Sequence, residues 1–256
     1  FRRVLFRSDG LPVQLNAPAT KIEAYGRSRV EVDTPKGTFS GRFAIVTAST
    51  NVMAAEKIKF EPELPKSHLQ SFSQLKLGSY DHIALELNGN PLGLQRDDLV
   101  FEKAEGPRTA ALLANVSGTS LAMVDVGGRF GRELSAQGDL AMVDFAVEWL
   151  AGLYGSDVKK AVGRSKVTQW NADPWTLGAI ATAAPNASGV RKTLMEPVRD
   201  RLFFAGEALH ETSWGTVGGA WLSGERAAEA ALRRMGLLKE PTEEKPAPPP
   251  RRRKGA

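Results

Sequence analysis

Cysteine is absent from this 256-residue sequence, and histidine occurs only three times. The first absence excludes a disulfide framework and any thiolate metal site. His68, His82 and His210 are too scattered to suggest a metal-binding cluster. No run of 18 apolar residues occurs, so no membrane-spanning helix is expected. There is also no G-x-G-x-x-G with a following acidic residue, the pattern of a strand-turn-helix that cradles a dinucleotide pyrophosphate. One-sided charge is missing where it would matter. The formal net charge is +5, but the first ten residues carry +2 and residues 239–256 carry +3, so residues 11–238 are neutral. A neutral folded part gives little support to nucleic-acid binding.

With 42% hydrophobic residues, the chain can bury the core of one large or two modest domains. Residues 1–10 fit no element and read as a truncated or non-native start. Short strands are expected at Val13–Asn16, Thr20–Tyr25, Arg29–Thr34 and Thr38–Ser40, parted by Pro18, a turn at Gly26 and Pro35-Lys36-Gly37. Phe43–Ala48 is a continuous apolar run, suited to a strand buried on both faces. Helices are expected over Asn51–Lys59 and Ser67–Leu75. Strands are expected over His82–Leu87, Leu99–Lys103, Thr109–Asn115 and Ser120–Asp125. Gly127-Gly128-Arg129-Phe130-Gly131 has the wrong spacing for a phosphate loop and reads as a turn. A long amphipathic helix over Gly138–Tyr154 would place Leu140, Val143, Val147, Leu150 and Ala151 on one face. A short helix over Ser156–Val162 and a strand over Arg164–Trp170 follow. Residues 239–256 are rich in Pro, Glu, Lys and Arg, cannot bury a core, and are expected to be disordered.

The densest pattern lies near the end. Leu202–Ala205 is a short apolar run stopped by Gly206, as a buried strand would be. From Thr216 the residues Val217, Ala220, Ala227, Ala228, Ala231 and Leu232 fall at helical spacing, with Arg233 and Arg234 in the last turn and Gly236 beyond. Thr212 and Ser213 are available to cap its start. A glycine-rich helix N-terminus with free backbone N–H groups suits an anion or an electron-rich ring. Spacing alone is equally that of an ordinary strand-loop-helix unit.

The wording of the segment is more specific. Phe203-Phe204-Ala205-Gly206-Glu207, followed by Thr216-Val217-Gly218-Gly219-Ala220 and Ser223-Gly224, resembles the C-terminal flavin signature of the flavin-containing amine oxidases. That family includes monoamine oxidases, polyamine oxidases and flavin-dependent histone demethylases. The resemblance implies a mixed α/β fold: an incomplete FAD-binding, Rossmann-like domain, plus a substrate-binding domain with a mixed or antiparallel sheet and flanking helices. It divides the chain into 11–60 and 171–238 on the FAD side and 61–170 on the substrate side. It implies that Glu207 approaches the ribitol and pyrophosphate, and that Thr216 and Val217 offer backbone N–H groups to the pyrimidine edge of the flavin. Gly206 and Gly219 would admit the cofactor closely, and the backbone at Ala19 would lie by the adenine. With no cysteine, the FAD would be bound non-covalently.

Two further passages carry the resemblance. Trp170-Asn171-Ala172-Asp173-Pro174-Trp175-Thr176-Leu177-Gly178 resembles the family segment that runs past the reactive face of the flavin. It implies that Trp170 packs beside the ring and that Gly178 lets the backbone approach it. Many members place half of a substrate-amine cage two residues further on, where this chain has Ile180. The partner slot holds Thr216, so a two-tyrosine cage is absent, and Trp214 or Trp221 is the available aromatic substitute. In Leu77-Gly78-Ser79-Tyr80-Asp81-His82, the family's usual lysine, which holds a water to flavin N5, is replaced by His82. A histidine there is either a water-holding acid/base group or a half-buried strand residue.

The resemblance therefore implies hydride transfer from an amine-bearing carbon to the flavin, with a small-molecule amine and dioxygen as partners. Without a pyrophosphate cradle, the chain is expected to be a C-terminal fragment and inactive alone. A related desaturase or protoporphyrinogen oxidase-like flavoprotein would share the Gly206-Glu207 strand. A non-enzymatic binding module is a third class.

Overall fold

The computed structural model describes residues 10–25, 29–187 and 189–239. The expected start at 1–10 (all but Gly10), the Gly26 turn and the disordered tail (all but Lys239) lie outside the described residues. Strand β1 (Lys21–Glu23) pairs antiparallel with β2 (Val30–Thr34), which forms a hairpin with β3 (Gly37–Gly41). Val13–Asn16 makes no strand. Its side chains are exposed, with no ladder partner to offset the ordering of the backbone. After β4 (Ala44–Val46), helix α1 (Thr50–Ala54) starts at Ser49, whose hydroxyl accepts from Val52 N at 3.1 Å. The expected helix to Lys59 stops early because Glu56 turns to φ +50, and Lys59 already opens β5 (Lys59–Glu61). That strand runs parallel to β1 and completes a four-stranded sheet in the order β3-β2-β1-β5.

Helix α2 (Lys66–Gln74) leads straight into β6 (Leu75–Leu77), a strand too short to read from the sequence. The next unit follows the period-two rule clearly. In β7 (Tyr80–Leu87) the residues Asp81, Ile83, Leu85 and Leu87 point inward. With β8 (Leu99–Phe101), β9 (Ala111–Leu113) and β10 (Leu121–Gly127), it forms most of an antiparallel sheet. The expected turn at Gly127–Gly131 is instead a strand-to-helix junction. Gly127 ends β10, Gly128 takes φ +62, and α3 (Gly128–Ser135) begins at once. A β-carbon on Gly131 would lie 3.0 Å from the Val126 carbonyl carbon, so glycine is what lets the helix fold back on its own strand.

Helix α4 (Asp139–Tyr154) covers this sheet, with its buried stripe rotated from the expected one but overlapping it. Leu150 is fully buried and Val143 and Val147 pack against the core as expected, while Leu140 is 82% exposed and Met142, Phe145, Ala146 and Trp149 fill the centre of the contact. The stripe is centred on the two aromatic rings, which have the most apolar area to bury. After α5 (Val158–Ala161), β11 (Val162–Val167) adds the fifth strand, in the order β11-β7-β10-β9-β8. It overlaps the expected Arg164–Trp170 strand but starts and ends earlier, which leaves Trp170 in the loop that follows.

Two short elements of the last segment have no pattern in the sequence. β12 (Ala181–Ala183) pairs with β6, and α6 (Val190–Met195) packs beside α2. β13 (Leu202–Phe204) pairs parallel with β4 and is buried at all three positions, as its apolar run implies. A 3₁₀ turn at Glu207–Leu209 and helix α7 (Val217–Arg234) close the fold. Helix α7 buries Gly219, Ser223, Ala227 and Ala231, a stripe of small residues every fourth position; Ala227 and Ala231 lie on the expected face, whereas Val217 is 78% exposed. The result is a mixed α/β fold with two main apolar cores. One gathers residues between Ile22 and Leu77 with others between Ala181 and Leu209, and the second lies between Ile83 and Val167.

Candidate functional site

A cavity of about 480 Å³ opens beside the first core, between β4, β6, the start of β7, the end of β13 and the loop after β11. The β4–α1 turn contributes Thr47 to Thr50, and β6 and β7 contribute Leu77, Tyr80 and His82. The loop after β11 contributes Trp170, Trp175 and Gly178 to Ile180, and the end of β13 contributes Ala205 to Leu209. Among the expected site residues, His82, Trp170, Gly178, Ile180, Gly206 and Glu207 therefore share one cavity. Ala19, Trp214, Thr216, Val217 and Gly219 do not line it.

The Trp170 loop is held by a carboxylate with no signature in the sequence. Asp81 is fully buried, and its Oδ1 accepts from Thr168 Oγ1 at 3.0 Å and from Trp170 N at 3.0 Å. Its Oδ2 accepts from Asn171 Nδ2 at 3.2 Å. Buried carboxylates are tolerated when their lone pairs are occupied in this way. The loop then returns on itself, with Gly178 N donating to Trp170 O at 2.8 Å. Gly178 has φ +149, and a β-carbon there would sit 2.5 Å from the Leu77 β-carbon. Its missing side chain thus serves a crossing of the chain over Leu77, in addition to bordering the cavity.

At the other wall, Gly206 has φ +142, and a β-carbon would meet nothing within 4 Å. Its N–H donates to the buried Ser223 hydroxyl at 3.1 Å, which ties the strand end to α7. Glu207 accepts from Ala181 N at 3.1 Å and from Gly215 N at 2.8 Å, one bond per oxygen. Burial pushes its carboxyl above the ordinary range, opposed by those two N–H groups and by Arg191. It lines the cavity as a clamp between two loops.

The start of α7 differs from expectation in two ways. Thr216 is the cap, accepting from Gly219 N at 2.9 Å and donating to Ser213 O at 2.7 Å, so neither Thr212 nor Ser213 fills that role. A β-carbon on Gly219 would lie 2.0 Å from Ser213 O, so this glycine makes room for the protein's own loop. Trp214 lies under the guanidinium of Arg191, 4.6 Å from its ring centroid. It is Trp175, not Trp214, that joins Trp170 at the cavity.

His82 belongs to a chain of three side chains. Its Nδ1 lies 2.6 Å from Asp125 Oδ1, and Tyr80 Oη donates to Asp125 Oδ2 at 2.7 Å. The Tyr80 and His82 rings meet edge-on at 85°, with centroids 5.4 Å apart. The Asp125 hydrogen bond raises the His82 pKa above the ordinary imidazole value, partly offset by burial. Burial and the same carboxylate push the Tyr80 phenol up to about 12. Alternation along β7 could have placed Tyr80 beside His82. Asp125 is visible only from the β7–β10 register, which sets it opposite His82.

The fold is that of a mixed α/β protein with two main apolar cores and a cavity lined by both expected motif segments. The chain belongs to the flavin containing amine oxidoreductase family, whose model matches residues 3–232. It is 29% identical over 239 residues to lysine-specific histone demethylase 1 homolog 3 of Arabidopsis thaliana, covering 86% of this chain and 14% of that protein. It is 31% identical over 231 residues to polyamine oxidase 5 of Oryza sativa subsp. japonica, covering 88% of this chain and 46% of that protein. Cyclohexylamine oxidase from Brevibacterium oxydans shares the fold with a TM-score of 0.72 at 20% identity, over 86% of this chain and 48% of that one. The chain thus spans less than half the length of these relatives.

Proposed function

We propose that this chain forms one wall of the flavin and substrate site of an FAD-dependent amine oxidase. The observation that carries this reading is the convergence, around one cavity, of two separate motif segments: Trp170 with Gly178, and Gly206 with Glu207. The residues fit a flat ring. The walls are mostly small or aromatic, and the open space beside Gly206 is where a side chain would intrude on a bound group. When bound, the flavin supplies a two-electron acceptor for a hydride from the amine-bearing carbon, and dioxygen is the final acceptor.

The chain's own residues position and desolvate. Trp170, held through its backbone by Asp81, would pack beside the ring. Gly206 would admit the cofactor closely, and Glu207 keeps the loop after β13 in place. Ile180 and Trp175 border the substrate, and His82 holds a water or a proton at the reacting end. Residues 11–60 and 171–238 are assigned to the FAD part and residues 61–170 to the substrate part, although Leu64, Phe72, Leu75 and Leu77 pack in the first core with the FAD side. The FAD is held non-covalently, and its pyrophosphate cradle comes from residues beyond this chain. The test is the absorbance of the full protein and its peroxide release with amines. A yellow protein that releases peroxide from an amine supports the reading. A colourless protein, or one that oxidises only carbon–carbon bonds, overturns it.

A further inference from the structure

Tyr80 and His82 sit two residues apart on one face of β7, and the antiparallel register brings Asp125 of β10 opposite His82. The carboxylate is shared, with one oxygen on the imidazole and the other on the phenol. A carboxylate accepts and cannot donate, so the hydrogen bond to Asp125 requires the proton on Nδ1. In the neutral ring, Nε2 is then left with a lone pair, in a side chain that lines the cavity.

We propose that Asp125 is a positioning residue that locks His82 in its Nδ1–H tautomer, so that Nε2 takes a proton from the ammonium form of the substrate. Tyr80 holds the carboxylate from its other side. The inference rests on the amine oxidase reading, and it adds the proton step that reading leaves open. An alkylammonium has no lone pair with which to support loss of a hydride from its carbon. In the step proposed, an N–H bond of the ammonium breaks, the electron pair stays on the amine nitrogen, and the proton forms a bond to Nε2. The charge moves from substrate to imidazolium, which the Asp125 carboxylate faces directly.

The surroundings favour that charge. Asp125 faces the ring from β10, Tyr80 and Asp81 flank it on β7, and the Thr168 hydroxyl accepts from His82 N at 2.8 Å. Glu207 lines the same cavity, and no lysine or arginine is among its lining residues. The raised pKa of His82 makes it a stronger base than a free imidazole, closer to the basicity of an alkylamine.

The test uses imidazole nitrogen NMR of the full chain without flavin, across pH, with the His82 signals assigned by their loss in His82→Gln. The expected neutral form has the proton on Nδ1. Asp125→Asn lowers the titration midpoint and mixes the tautomers. Tyr80→Phe shifts the midpoint the opposite way, because Asp125 loses its second donor and directs more charge at His82. Opposite signs from two neighbouring variants are not what a merely structural role produces. A neutral form protonated on Nε2, or a midpoint unmoved in both variants, overturns the proposal. In the flavin-loaded full protein, Asp125→Asn should move the acid limb of kcat/KM for the amine while kcat at alkaline pH changes little. An acid limb that stays in place also overturns it. Absence of flavin or of amine turnover would strike the amine oxidase reading alone, because the NMR result reports on the imidazole without either.

Discussion

Gly178 crosses Leu77 so closely that a β-carbon on the glycine would lie 2.5 Å from the leucine's own. This crossing joins the Trp170 loop to the β6–β12 pair, because Ile180 O accepts from Gly78 N at 2.8 Å just beyond it. Gly178→Ala is expected to destabilise the fold by about 2–5 kcal/mol, combining overpacking with a side chain forced to φ +149. Urea unfolding followed by tryptophan fluorescence reads both the loss and any displacement of Trp170. An unchanged midpoint would show that the crossing relaxes freely.

Gly206 and Gly219 belong to the same motif and have opposite structural reasons. A β-carbon on Gly206 meets nothing within 4 Å, whereas one on Gly219 collides with Ser213 O at 2.0 Å. Gly206→Val should therefore leave a folded chain, weakened by about 1–3 kcal/mol for its backbone angle, that abolishes flavin retention in the full protein. Gly219→Val should lose the fold around α7 first. Circular dichroism with flavin absorbance separates the two, and full flavin content in Gly206→Val would count against the site.

Glu207 holds a backbone N–H on each oxygen. Glu207→Gln keeps the shape but turns one acceptor into a donor, which leaves Ala181 N or Gly215 N unpaired. The expected loss is about 1–3 kcal/mol. Hydrogen exchange should show faster opening at those two amides in particular. Equal protection in both proteins would mean that the clamp is not what holds the loops.

What the sequence disclosed follows from the physics of each element. β7, β10 and β13 were legible because burial on one or both faces leaves a pattern within a single segment. β6, β12 and α6 were not, since their three to six residues give no periodicity and lack the continuous apolar run of β13, so tertiary pairing decides their state. The glycines of the site were legible as positions, but their causes were not, because Gly178 and Gly219 answer to atoms far away in sequence or across a loop. Asp81 and Asp125 look like ordinary strand carboxylates, and only the loop contacts of the first and the cross-strand register of the second give them roles.

The His82–Asp125 pair should also be visible in the dependence of stability on pH. The folded state raises the His82 pKa, chiefly through the Asp125 hydrogen bond, so it binds that proton more tightly than the unfolded chain does. The stabilisation is therefore fully present below the ordinary imidazole pKa and is lost as pH rises through the higher folded value. With the His82 side chain 36% exposed, solvent screening keeps the effect small. Unfolding free energies from urea titrations should fall in the native sequence as pH rises from the ordinary imidazole value of about 6.5 through the higher folded value, and the His82→Gln chain should show a shallower fall over that window. Tyr80→Phe moves the window upward, since it concentrates the carboxylate's charge on the imidazole. Identical slopes in the native and His82→Gln chains would mean that the pair contributes nothing to folding, and would confine any role of Asp125 to orienting the ring.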